Sequence, residues 1–266
     1  MADTFAYPKL VHGQIRAEVQ YRASFVAFLL AQTILFGTDA VAVWAVFTKV
    51  SSLGHWNVRQ VLFLYGITTC AFGVADIFVS PVENASIHIQ AGSLDRLYVR
   101  PMGILTQLLA QEFALRRVGK LLQATIVLIV GISLTSVHWT PARVAMVPFA
   151  IACGAITYSS LFVLTSSLSF WLVSTQEIAN SVTYGGVTMS QFPVHIYGAW
   201  LRRTVLTVIP IASVAYLPGL YILQAANPLR IATWAQILSP LLCVPAALVA
   251  AFVWRRATRH YQSTGS

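Results

Sequence analysis

Two carboxylates stand inside long apolar runs of this sequence, where an ionisable side chain is least expected. Asp39 falls in the run over residues 25–47, and Asp76 falls in the run over residues 61–79. A charge inside a bilayer is energetically expensive, so such a residue normally faces the interior of a helix bundle or a cavity. Two roles are open to these acids. One is a proton relay, which needs both groups deep and close together, and the other is a structural pair with Arg, Tyr or Ser of another helix.

The sequence lacks the common catalytic and metal-binding motifs. It contains no G-x-x-x-x-G-K-[ST] phosphate loop, no H-E-x-x-H zinc helix and no G-x-S-x-G nucleophile elbow. Its six histidines are scattered without metal-ligand spacing, and its three cysteines stand singly in apolar runs. We therefore predict no catalytic residue, no metal site and no cofactor held by this chain.

The elements that position the two carboxylates are long apolar helices. Hydrophobic residues make up 57% of the 266 residues and charged residues only 9%, whereas a soluble domain carries about 25% charged residues. A bilayer-spanning helix needs roughly 17–25 mainly apolar residues, because its backbone groups must be satisfied within the helix. The sequence therefore predicts an all-α integral membrane protein with six transmembrane helices. The predicted spans cover residues 25–47, 61–79, 121–137, 144–173, 205–222 and 237–254.

The positive charges predict how these spans are oriented. Lys and Arg concentrate in cytoplasmic loops of membrane proteins, and with six spans and a cytoplasmic N-terminus 13 of the 17 fall inside, Arg202 and Arg203 among them. The segment over residues 180–200 is mildly apolar and could be a seventh span, a re-entrant segment or an interfacial helix. A seventh span would place Arg202, Arg203 and the C-terminal arginines outside and so lower the inside count. The charges therefore favour six spans with both termini in the cytoplasm, and they explain the net charge of +9 without a nucleic-acid partner.

Two segments outside the spans have their own patterns. Over residues 5–22, Val11, Ile15 and Val19 recur every four residues, which predicts an amphipathic helix lying in the cytoplasmic interface or packed on protein. The largest cytoplasmic loop covers residues 80–120. Its first part, residues 81–101, predicts a short helix that ends at Gly92, followed by a second short helix and a further turn at Pro101.

The same loop carries a family resemblance. The segment I-Q-A-G-S-L-D-R-L-Y-V-R-P, residues 89–101, resembles the loop after the second span of type 2 ABC transporter permeases. The ending Y-Q-S-T-G-S, residues 261–266, the amphipathic N-terminal helix and the six-span layout are similar to a compact bacterial branch of that family. The resemblance covers residues 1–266 as a single transmembrane permease domain.

The resemblance implies a subunit of a larger transport complex in a bacterial inner membrane. Such a permease pairs with two copies of a separate ATPase, which binds ATP and Mg²⁺, and with a second permease that is identical or related. The helix between spans two and three would be the coupling helix that seats in a groove of the ATPase. We expect its arginines to contact acidic groups there, and Leu94, Leu97 and Tyr98 to fill the groove. The residues that match this element are Glu83, Ile87, Gly92, Leu94, Asp95, Arg96, Leu97, Tyr98, Arg100 and Pro101.

Two other functions remain open from the residues alone. A proton-driven secondary transporter would use Asp39 and Asp76, although six spans are few for such a carrier and no inverted repeat is visible. A membrane-embedded enzyme or assembly factor would need a catalytic constellation that the sequence does not reveal. The family resemblance implies export, driven by ATP hydrolysis in a partner, of one of the substrates common in that family: drugs, lipids, polysaccharides, peptides or other hydrophobic compounds.

Overall fold

Apolar runs of this length form helices, because a helix satisfies its backbone hydrogen bonds internally. The computed structural model describes residues 22–111, 117–172 and 176–261. Within these ranges the chain is helical, and the strand-like pairing is confined to an isolated bridge between Leu53 and Trp56. The all-α class is confirmed for this part of the chain. The predicted amphipathic helix over residues 5–22 lies outside the described residues, except for Arg22.

The helices follow the apolar runs and the loop that separates them. Two of them begin at side-chain caps: Asn57 and Gln60 exchange hydrogen bonds of 3.0 Å at the start of the second helix, and Thr140 accepts from the backbone N–H of Arg143 at the start of the seventh. In chain order the α-helices are α1 (Arg22–Val46), α2 (Val58–Phe78), α3 (Ala85–Gln90), α4 (Asp95–Tyr98), α5 (Ile104–Gln111), α6 (Val118–Leu134), α7 (Pro141–Ser167), α8 (Gln176–Ser190), α9 (Ala199–Arg203), α10 (Tyr216–Leu223), α11 (Thr233–Leu238) and α12 (Cys243–His260).

Helix α2 lies at the centre of the bundle and packs closely against α6. A Cβ atom on Gly66 would lie 2.6 Å from the Cα of Leu128, and one on Gly131 would lie 3.0 Å from the Cα of Phe63. The two backbones therefore touch through glycines, as in membrane-helix pairs that use small residues to approach closely. Helix α7 packs on another side of α2, so α2 is buried along most of its length.

The loops define two ends of the bundle. Residues 51–57 precede α2 and residues 80–101 follow it, so the two loops lie at opposite ends of that helix. We call these the 51–57 end and the 80–101 end. The last turns of α12 lie at the 80–101 end, because the rings of Tyr98 and Tyr261 stack at 5.2 Å.

The segment over residues 176–196 runs from one end of the bundle to the other. In the middle of α8, the Tyr184 hydroxyl lies 3.4 Å from the Glu83 carboxylate at the 80–101 end. Near its finish, Nε2 of His195 lies 2.7 Å from the carbonyl oxygen of Gly54 at the 51–57 end. This segment therefore traverses the same thickness as α2, although its composition is only mildly apolar.

The predicted single span over residues 205–222 is wrong. Helix α9 continues into a π-helical stretch at Thr204–Val208, and the next helical stretch, Ile211–Leu223, is bent from it by 71°. The break falls at Pro210, which has no N–H to continue the hydrogen-bond ladder. The chain enters this hairpin after His195 and leaves it before residue 226, whose carbonyl accepts a 3.1 Å hydrogen bond from Trp56. Both ends of the hairpin thus lie at the 51–57 end.

The hairpin also changes the position of two arginines. Arg202 lies in the first turns of the hairpin, where its N–H donates to the carbonyl of Gly198, three residues after the His195 that contacts Gly54, so it lies near the 51–57 end. Arg203 follows it directly. The prediction that these two residues share the side of the 80–101 loop is therefore wrong, because it depended on a span over residues 205–222.

Length and apolar composition identify fewer spans than the sequence predicted. In the described ranges, three helical segments are long and apolar enough to cross a membrane, and the bent pair around Pro210 would be a fourth if it were one span. The three are Val58–Phe78, Pro141–Phe170 and Thr233–His260. Helix α6 and the Leu30–Val46 part of α1 are apolar but shorter.

The glycine contact between α2 and α6 gives a direct test of the packing. We expect Gly66→Ala to destabilise the protein by about 1–3 kcal/mol, because the added methyl group meets helix backbone that has to shift. Gly185→Ala is the matched control: a Cβ there meets nothing within 4 Å, and alanine favours a helix by about 0.5–1 kcal/mol over glycine. Thermal unfolding in detergent measures both. Equal melting temperatures for the two variants would contradict the contact.

Candidate docking surface and its polar anchor

The loop predicted to dock a partner folds as two short helices on the 80–101 end. A 3₁₀ turn at Ser80–Asn84 leads into α3, and the chain then reverses at Gly92, whose φ of +64° lies in the left-handed region that favours glycine. Helix α4 follows directly. The predicted helix, its end at Gly92 and the second short helix are all confirmed.

The exposed residues of this loop differ in part from those predicted to meet a partner. Leu94 and Leu97 are 0% and 5% exposed and pack in the protein's own apolar cluster, so neither can fill a groove in another subunit. Val99, which the prediction omitted, is 86% exposed. We define the docking surface by five exposed residues of this element, which are Ile87, Arg96, Tyr98, Val99 and Arg100.

The docking surface borders a basic cavity of about 350 Å³. Arg96 and Arg100 line it together with His88, Ser93 and the edge of Leu97. The Nδ1 of His88 lies 2.8 Å from the Ser93 hydroxyl, which closes one side of the cavity. Two guanidinium groups beside an open cavity suit a carboxylate, since each can donate paired hydrogen bonds to it.

Two contacts join the docking surface to the rest of the bundle. The Tyr98 hydroxyl donates a 2.6 Å hydrogen bond to the carbonyl oxygen of Thr258 in α12. Burial raises the pKa of Tyr98 to about 12, so this hydroxyl keeps its proton at neutral pH. The amide nitrogen of Gln107 in α5 donates to the carbonyls of Leu97 and Met102 at 2.9 and 2.8 Å. Helix α4 is therefore tied to α5 and to the last helix.

Beneath the docking surface lies a group of buried charges. Nη1 of Arg117 is 3.1 Å from Oδ1 of Asp76 and also donates to the Asp76 carbonyl oxygen at 3.0 Å. Nζ of Lys120 is 3.7 Å from Oδ2 of the same carboxylate and 3.9 Å from the centre of the Phe72 ring. Asp76 thus holds two cations of the α6 start against the last turn of α2. The structural pair is the role that these contacts support for Asp76.

Glu83 extends this group toward the docking surface. Its Oε2 accepts a 3.4 Å hydrogen bond from Tyr184 of α8, while its Oε1 is buried and receives no hydrogen bond from the part of the chain that the structure describes. Burial and, to a smaller extent, the nearby Asp76 carboxylate raise the pKa of Glu83 to about 7, against the lowering effects of Arg117, the Tyr184 hydrogen bond and Lys120. We call Asp76, Glu83, Arg117, Lys120 and Tyr184 the polar anchor.

Sequence reasoning found part of this arrangement. Asp76 was singled out as an intramembrane acid and Glu83 as a docking residue, but the tertiary structure makes Glu83 a buried anchor. Arg117 and Lys120 entered only the count of positive charges, and Tyr184 lay in the segment of ambiguous role. A usable signal was available: two cations at the start of a span, close to a buried carboxylate that needs neutralising.

The other predicted acid has a different environment. Asp39 lies on an exposed part of α1, and its negative charge acts on Lys120, the lysine that pairs with Asp76. Within the described ranges the two acids are linked only through this shared lysine, and a cation between them suits a structural role better than a direct proton relay. Among the described residues, moreover, His, Cys, Asp and Glu form no group of three that could hold a metal ion.

A comparison with known families identifies the class of protein. A family model described as "ABC-2 family transporter protein" matches residues 33–265. No curated protein and no solved structure matches the chain. The family match covers most of the chain, so the chain belongs to the ABC-2 family of transporter proteins. It is a multi-pass component of a membrane transport system.

The buried charges predict unequal effects of two identical substitutions. Asp76→Asn removes the carboxylate that pairs directly with Arg117 and Lys120, and we expect it to destabilise the protein by about 2–3 kcal/mol, somewhat less than a fully buried pair because Arg117 keeps some exposure. Asp39→Asn is the matched control and should change the stability of the single chain by less than about 0.5 kcal/mol. Unfolding in mixed detergent measures both, and equal losses would contradict the anchor.

The raised pKa of Glu83 predicts a pH dependence with a definite sign. The folded chain binds the Glu83 proton more tightly than the unfolded chain, whose carboxyl has its ordinary pKa of 4.5. The contribution of Glu83 to the free energy of unfolding is therefore fully present below pH 4.5, and it is lost as the pH rises to about 7. We expect the melting temperature to fall by about 2–4 °C over that window for each kcal/mol lost.

Glu83→Gln tests the origin of this slope, since an amide cannot titrate. In this variant the melting temperature should no longer decrease between pH 4.5 and 8. Glu177→Gln, which alters an exposed carboxylate of α8, is the control and should keep it. A slope that survives in Glu83→Gln would assign the pH dependence to other groups.

Proposed function

We propose that this chain is the permease subunit of an ATP-driven exporter in a bacterial inner membrane. The observation that carries the proposal is the docking surface. In this member of the ABC-2 family, it is a charged and exposed element that is fixed to several helices of the bundle. The chain contains no phosphate-binding loop, so ATP and Mg²⁺ would be bound by a separate ATPase. Two ATPases and two permeases would form the working complex.

The proposed topology has six crossings with both termini in the cytoplasm. The crossings are α1, α2, α6, α7, the segment over residues 176–196, and the chain over residues 233–260. The hairpin over residues 199–223 enters from the outer side and returns to it. Moving Arg202 and Arg203 outside leaves 11 positive residues inside and 6 outside, so the charge distribution still supports a cytoplasmic 80–101 end.

The docking surface suits an acidic and apolar groove of the ATPase. Arg96 and Arg100 would receive carboxylates at the basic cavity. Ile87, Tyr98 and Val99 supply apolar contact area, and they are 52%, 41% and 86% exposed. This combination of charge at the edge and apolar side chains beside it is typical of protein interfaces.

Movement of the ATPases would reach the bundle through the polar anchor. Glu83 contacts α8 through Tyr184, and Asp76 holds the end of α2 against the start of α6. Tyr98 joins the same element to α12. A tilt of the docking surface would therefore move four helices together. ATP binding biases transport if the partner binds the two arrangements of the permease with different affinity.

A second permease, identical or related, would cover α1. Asp39 is exposed on this helix in the single chain, and a carboxylate facing lipid is costly. Valine, leucine and isoleucine side chains beside it are also exposed. A partner helix or a polar cavity between two permeases would remove Asp39 from lipid, and such a cavity would form the transport pathway.

The docking proposal predicts loss of the ATPase when its cations are removed. We expect Arg96→Ala with Arg100→Ala to reduce the ATPase that co-purifies from native membranes about tenfold, the effect of about 1.4 kcal/mol. Arg256→Ala with Arg259→Ala removes two exposed arginines from α12 at the same end and should leave the yield unchanged. Mass spectrometry quantifies the co-purified protein. Normal recovery with the first pair would reject the docking surface.

A further inference from the structure

A cavity of about 450 Å³ opens on the side of the bundle, away from the docking surface. It lies where the middle of α7, the π-helical stretch before Pro210 and the first half of α12 meet. A volume of this size is within the usual range for small-molecule sites, about 300–1,000 Å³. The lining residues include Thr157, Ser160, Leu161, Leu206, Thr207 and Ala246.

The polar atoms of this cavity are acceptors. Thr157, Ser160 and Thr207 each donate their hydroxyl hydrogen to a carbonyl one turn earlier in their own helices, at 2.7–3.0 Å. Each hydroxyl oxygen still has lone pairs that can accept a hydrogen bond. None of the lining residues is ionisable. The polar side chains that line the cavity are therefore uncharged, and their hydroxyl hydrogens are already used in hydrogen bonds.

The break in the neighbouring helix adds a backbone acceptor. In a continuous α-helix, the N–H of residue 210 would donate to the carbonyl of Leu206. Proline has no N–H, and the N–H of Ile211 donates instead to the carbonyl of Ile209 at 2.6 Å. The Leu206 carbonyl consequently loses its helical donor, within the stretch that lines the cavity.

The cavity opens sideways, at the depth of the apolar helices. Val208 and Val249 at its rim are 74% and 53% exposed. A ligand would therefore reach it from the bilayer, where an uncharged apolar molecule partitions, and would not need to cross an aqueous vestibule.

From these observations we infer that the cavity binds an uncharged amphiphile that carries a hydroxyl or amide donor on an apolar body. The apolar body fills the space between α7 and α12, and the donor satisfies the acceptors beside Pro210. The inference goes beyond the transport function, because it assigns a ligand site within one chain, remote from α1 and from the ATPase docking surface.

Photolabelling of the full-length protein in nanodiscs tests this site with three matched probes. The first is hexadecanol with a mid-chain diazirine and a terminal alkyne. The second is its methyl ether, which lacks the donor, and the third is its phosphate ester, which is charged. Peptide mass spectrometry then locates the label. We expect the alcohol to label the lining segments about fivefold more than the ether, the effect of one hydrogen bond, and the phosphate ester to label them least.

Two matched substitutions on α12 separate the cavity from the general lipid-facing surface. Ala246 lines the cavity, and Ala251 is exposed on the same helix outside it. Ala246→Phe should remove most of the alcohol labelling, and Ala251→Phe should leave it unchanged. Equal labelling by alcohol and ether would show that any acyl chain occupies the space, and this result would overturn the inference. Undiminished labelling of Ala246→Phe would overturn it as well.

Discussion

A carboxylate at the end of a membrane helix has to be matched by positive charge, and Asp76 is matched by two cations from the next span. The ion pairs with Arg117 and Lys120 bring the start of α6 against the last turn of α2. Because that turn leads directly into residues 80–101, the same contacts set where the docking surface begins. Glu83 then reaches α8 through Tyr184. The low dielectric of the surroundings makes each of these contacts expensive to break, so the docking surface moves with the helices rather than independently of them.

A second constraint acts at the opposite end of the bundle, where backbone groups rather than charges need partners. Pro210 interrupts the helical ladder, and the chain turns back instead of crossing. The hairpin is held by His195, which meets Gly54 on one side and the Tyr216 hydroxyl on the other. Irregular backbone at membrane depth is tolerated only where protein or a cavity surrounds it. The lateral cavity beside Pro210 accompanies this bend, which leaves the Leu206 carbonyl without its helical donor in the stretch that lines the cavity.

The sequence predicted the local features of this fold better than the features that depend on how the helices pack. Helix α2 over Val58–Phe78 was predicted at 61–79, and the turn at Gly92 was predicted from the residue type, because apolar length and a positive φ are local properties. The direction of a side chain is not local, and Leu94 and Leu97 point inward instead of toward a partner. The predicted span at 205–222 was wrong for a related reason. Both arms of the hairpin are apolar, and hydropathy does not show whether an apolar chain crosses the bundle or turns back within it.

The sequence by itself determined the helical class, the membrane location, the family and the position of the two short helices over residues 81–101, because these follow from composition and from motifs along the chain. Only the tertiary structure decided which segments cross the bundle and which charges pair. The segment over residues 176–196 is too polar to be recognised as a span in isolation, and its place in the bundle depends on partners in other elements, such as Tyr158 for Ser190 and Glu83 for Tyr184. Pairing of Asp76 with Arg117 depends on packing across 41 positions of sequence. Hydropathy reports the average environment of a segment, whereas these decisions depend on which atoms meet across the fold.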